Sequence, residues 1–104
     1  MAHAEVKAGV CGFTTRITAT SEDGQTVKLS IQTQCPNIKP LETELTEVDG
    51  FAECFSKLGE SSIYQISKKY CKHPGCPVPS ALIKAVEVAC GIALPVDVEM
   101  KIEA

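Results

Sequence analysis

Two stretches of this chain alternate apolar and polar residues with a period of two, and that alternation restricts the fold more than any other feature. In Thr26–Thr33, Val27, Leu29 and Ile31 fall on one side. In residues 96–103, Val96, Val98, Met100 and Ile102 fall on one side and Asp97, Glu99, Lys101 and Glu103 on the other. Successive side chains of a strand point to opposite faces, so each stretch predicts a strand with one buried and one wet face. Residues 13–20, rich in Thr and Ile, suit a half-buried strand. They pair with Thr26–Thr33 as a hairpin across the turn signal Glu22-Asp23-Gly24. Residues 5–10 read as a further short strand.

The apolar period then changes to that of a helix. Residues 40–46 carry Leu41 and Leu45 four apart. Asp49 is placed to cap a second helix, with Phe51, Ala52, Phe55 and Leu58 as an inward stripe ended by Gly59. Ser61 or Ser62 caps a third, running to about Tyr70 with Ile63 and Ile66 inward. Residues 72–78 hold two prolines and a glycine and read as loop. Pro79 or Ser80 opens a fourth helix through Leu82, Ile83, Ala85, Val86 and Ala89, closed by Gly91. The predicted order is β-β-β-α-α-α-α-β. The expected fold is a single α+β domain over residues 1–104, two-layered, with a mostly antiparallel four-stranded sheet and helices on one face.

Composition excludes several classes. A hydrophobic fraction of 44% with 22% charged residues is that of a globular domain. No apolar run approaches the roughly 18 residues of a spanning helix, so no membrane role is expected. The start, Met-Ala-His-Ala-Glu, does not read as a secretory signal, and a cytoplasmic location is expected. Net charge is -3, aromatic content is 5%, and only Lys68, Lys69 and Lys72 group together, so no nucleic-acid partner is expected. A protein partner is.

Six cysteines in 104 residues carry the chemistry. Reduced thiols suit the expected compartment, where thiol clusters hold metals or do redox work. Cys54 and Cys90 lie among apolar helix positions and read as packing. Cys11, Cys35 and Cys76 each fall at an element boundary. In a three-stranded meander, Cys11 and Cys35 come to the same end of the sheet. Cys76 joins them if the last strand runs parallel to the first and third. Cys71 and His73 share a loop with Cys76. Thiolates and imidazole suit zinc, and thiolates suit an iron–sulfur cluster. His73 reads first as an exposed loop residue. The metal ligands expected are therefore Cys11, Cys35 and Cys76, with Cys71 and His73 as further candidates.

Cys76-Pro77-Val78-Pro79 leads directly into a helix. Proline in a first turn forfeits no hydrogen bond, and a thiol beside the open amides is favoured as thiolate. Together with the helix and the alternating segment that follow, this run resembles the Cys-Pro-x-Pro element of the TusA/SirA sulfur carriers over about the last quarter of the chain. The resemblance implies a persulfide-carrying role for Cys76. The whole chain also resembles small uncharacterised cysteine-containing proteins of anaerobes. Gly-x-Ser-x-Gly, phosphate-loop and His-Glu-x-x-His motifs are absent. The sequence thus reads as a binding module rather than an enzyme. A carrier using Cys76 and a structural domain with buried thiols are the alternatives.

Overall fold

The turn between the second and third strands is fixed by one carboxylate. Asp23 accepts the N–H groups of Gln25 and Thr26, both at 2.8 Å, and Gly24 takes the positive φ of 79° that a side chain resists. The computed structural model describes residues 1–104. This turn joins β2 (Thr14–Thr20) to β3 (Thr26–Thr33), and β1 (Ala2–Lys7) pairs with β2. All pairs are antiparallel. Ala4, Ile17 and Ile31 align across three strands, as do Val6, Thr15 and Thr33. Thr15 and Thr33 are buried as well and satisfy each other through a hydroxyl hydrogen bond of 2.8 Å. The opposite face presents His3, Glu5, Arg16, Lys28, Ser30 and Gln32 to water.

The expected four-stranded antiparallel sheet is present, but its fourth strand is not the expected one. After α1 (Leu41–Glu44), the short β4 (Glu47–Asp49) pairs with the first half of β3. Sheet order is β1-β2-β3-β4, and chain order is β-β-β-α-β-α-α-α. The segment 96–103 forms no strand: Val96, Val98, Met100 and Ile102 are 56–90% exposed. Alternation dictates the faces of a ribbon, whereas hydrogen bonds require a neighbour. One side of β3 is taken by β4 and the other by β2, and the segment lies against no strand.

Three helices follow: α2 (Gly50–Phe55), α3 (Ser62–Tyr70) and α4 (Val78–Ala89). Asp49 caps α2 and Ser61 caps α3, as the sequence predicts. α4 crosses the buried faces of β1 and β2, burying Val78, Leu82, Ala85 and Val86 against Ile17 and Ala19. Ile38, Leu41, Leu45 and Ile63 close the other half of the core.

The stripe expected on α2 faces outward instead. Phe51, Phe55 and Leu58 are exposed, with the two phenyl rings 6.2 Å apart. The inward positions belong to Gly50 and Glu53. A Cβ on Gly50 would strike the Cys90 side chain and come within 3.0 Å of the Gln25 carbonyl, so only glycine permits this approach. Glu53 accepts the N–H groups of Ser62 and Ile63 at 3.1 and 3.0 Å, meeting open amides of α3.

Candidate thiol site

All six cysteines are free thiols, and the fold sorts them by position. Cys35 follows β3. Its N–H donates to the Thr33 hydroxyl at 3.1 Å, so the buried threonine pair anchors it. Its carbonyl accepts from Ile38 and Lys39 at 3.1 and 2.9 Å, which turns the chain toward α1. Cys71 ends α3, held by its N–H to the Ser67 carbonyl at 2.8 Å. Cys76 precedes the Pro77 cap of α4, and its N–H donates to the His73 carbonyl at 3.0 Å.

These three elements converge at the end of the sheet where β3 finishes. The Cys71 and Cys35 thiols are both near enough to Cys76 for their charge to be felt there. All three are half-buried against the core. Burial pushes the Cys76 thiol up to about 11. The Val78 N–H at the start of α4 pulls the other way, as expected from the helix end, but desolvation outweighs it. Cys76 is thus protonated at neutral pH, contrary to the thiolate its position suggested. One turn before Cys71, the buried Ser67 hydroxyl has no partner.

Cys11 and His73 stand apart from this group. Cys11 lies in the exposed loop between β1 and β2, where Gly12 donates to the Gly9 carbonyl at 2.9 Å. His73 is exposed and meets the site only through its backbone, whose carbonyl faces the Cys71 thiol at 3.5 Å. No three His, Cys, Asp or Glu side chains stand in an arrangement ready to hold a metal ion. Cys54 and Cys90 form a second group between α2 and α4, at the opposite end. Burial, then Glu87, then Cys90 push Cys54 up to about 11, and burial, Asp23 and Asp49 raise Cys90. Nothing in the spacing of these two announced their meeting, because Gly50 is what lets α2 approach α4.

A match to a family of unknown function covers residues 2–102, nearly the whole chain. The chain belongs to the DUF6951 family. No curated protein and no solved structure matches it. No helix is long and apolar enough to cross a membrane.

Proposed function

We propose that this DUF6951 chain is a cysteine-based binding module whose site is Cys35, Cys71 and Cys76, taking a thiophilic metal as zinc or an iron–sulfur cluster. The observation behind this reading is the meeting of three thiols from three separate elements at one half-buried end of the sheet. Burial keeps the proton on Cys76, and a soft cation displaces such a proton. The exposed loop 72–75 joins Cys71 to Cys76, and the three thiols, which are not set as a ready-made metal site, would have to close around an ion. Cys11 and His73 drop from the ligand set on exposure and position. The reading fits a reducing, cytoplasmic setting with a protein partner receiving or supplying the metal.

A second reading is favoured by the nearness of Cys71 to Cys76. There the pair reduces a partner's disulfide: two thiols give up two protons and two electrons, form one S–S bond, and the partner becomes a dithiol. A persulfide carried on Cys76 alone, as the sulfur-carrier resemblance implies, is less favoured because Cys76 is half-buried beside two further thiols.

The deciding experiment is purification without oxygen, followed by elemental analysis, a visible spectrum and zinc titration against a chromophoric chelator. Stoichiometric metal is expected, lost in Cys35→Ser, Cys71→Ser and Cys76→Ser and retained in Cys11→Ser. Protein without metal that also fails to compete for zinc overturns the metal reading. A Cys71–Cys76 disulfide formed in that protein by a small-molecule disulfide would then select the second reading.

A further inference from the structure

The segment after α4 has a strand's pattern and no strand's partner. Val96, Val98, Met100 and Ile102 are 74%, 56%, 70% and 90% exposed. From Leu94 onward its one backbone hydrogen bond is internal, from the Val96 N–H to the Leu94 carbonyl at 2.9 Å. The family match runs to residue 102 and so takes in this segment. The sheet has a complementary vacancy in its pairing. β1 is an edge strand, bonded to β2 alone, and its outer row of amides and carbonyls is open. We propose that residues 96–103 of one copy add as a strand to the β1 edge of a second copy, reciprocally, forming a strand-exchanged dimer.

Three features match the segment to that edge. The first is length, since β1 has six residues and the alternating run spans residues 96–103. The second is facing. β1 turns Ala2, Ala4 and Val6 toward the helix layer and His3, Glu5 and Lys7 to water. The segment divides in the same way, with Met100 and Ile102 on one side and Glu99, Lys101 and Glu103 on the other. The third is charge. On β1 an acid, Glu5, which also meets the Arg16 guanidinium of β2 at 3.2 Å, stands between His3 and Lys7, and on the segment a base, Lys101, stands between two acids. Setting Lys101 opposite Glu5 brings Glu99 and Glu103 opposite Lys7 and His3, whether the strands run parallel or antiparallel. In both directions Met100 and Ile102 fall beside Ala4 and Val6. Cross-strand pairs of this kind add stability, and like charges in their place subtract it.

The partner is a second copy rather than the same chain because of where the segment goes. Gly91, at φ 73°, ends α4, and the residues that follow lie open to solvent instead of returning along β1. The molecule measures 42 Å in its longest dimension against 27 and 25 Å in the others. An unpartnered apolar strand and an open edge on identical molecules satisfy each other twice in a two-fold dimer.

Light scattering after size exclusion, with hydrogen exchange read by mass spectrometry, tests this on the full chain. The expected result is a dimer in which amides of both β1 and residues 96–103 gain protection as concentration rises. Lys101→Glu should weaken association about tenfold, since each dimer contains the pair twice. Adding Glu5→Gln, which removes the facing acid without setting a base opposite Arg16, should recover part of it. A chain ending at Pro95 should be monomeric and should keep its helical far-ultraviolet circular dichroism. A monomer at every concentration overturns the proposal. So does a monomer whose segment is protected, which signals pairing within one chain. A dimer that survives truncation does the same, pointing instead to the exposed Phe51 and Phe55.

Discussion

Single residues decide how the helical half of the molecule is held. Glu53 is 4% exposed in a helix whose phenylalanines are not, because its two oxygens serve the amides of Ser62 and Ile63. Glu53→Ala leaves two amides at the start of α3 unmet and should lower unfolding free energy by about 2 kcal/mol. Urea denaturation measures this, and Glu53→Gln, which keeps one acceptor, should fall between the two. Helical period alone could not find Glu53, since a pattern read from hydrophobicity assigns a carboxylate to the wet face. The thiols pose a similar limit. Chain order grouped Cys35 with Cys11 and left Cys76 to the direction of a last strand that does not form, and the place of Cys71 depends on where α3 stops.

At the scale of elements, capping was legible and packing direction was not. Asp49 and Ser61 cap α2 and α3 as their residue types and positions predict. The Asp49 carboxyl is held below the usual carboxylate range, chiefly by the Ala52 N–H and then by Gln25. Its folded-state preference for the ionised form adds stability above the ordinary carboxylate pKa, and that contribution disappears as pH falls through the lowered value. Asp49→Asn should therefore flatten the acid limb of the stability curve, as measured by thermal unfolding across acidic pH, relative to the parent. The face α2 turns inward was a different matter. Its apolar residues outnumber the one small residue, Gly50, yet close approach to α4 governs the orientation. The final alternating segment illustrates the same division: its two faces are written in the sequence, and its neighbour is not.

For the whole molecule, the two thiol groups lie at opposite ends of one helix, and burial raises a thiol in each. Cys54 rises from 9.0 to about 11 through burial, then Glu87 and Cys90, and Cys90 rises in the same direction. A thiol whose folded pKa is raised remains protonated when the unfolded chain has already ionised. Stability is therefore intact below pH 9 and declines as pH climbs from 9 toward 11. The double variant Cys54→Ala, Cys90→Ala should show a shallower alkaline decline than the parent by thermal unfolding. The core that bears this stability is shared by both halves. Leu82 and Val86 of α4 are fully buried with Ile17 and Ala19 of β2, linking the sheet to the end where Cys54 and Cys90 meet.

The sequence by itself determined the α+β class, the meander, the caps and the arrival of Cys35 at one end of the sheet. Each follows from local periodicity, turn chemistry or strand direction, which act over neighbouring residues. Only the tertiary structure decided that β4 rather than residues 96–103 completes the sheet, that Glu53 points inward, and that Cys71 joins Cys35 and Cys76 while Cys11 does not. Those outcomes depend on which surfaces compete for the same neighbour, and burial at the chosen contact then sets the chemistry. Cys76 is the plain case: its place before a helix favours a thiolate, and the packing around it keeps the proton.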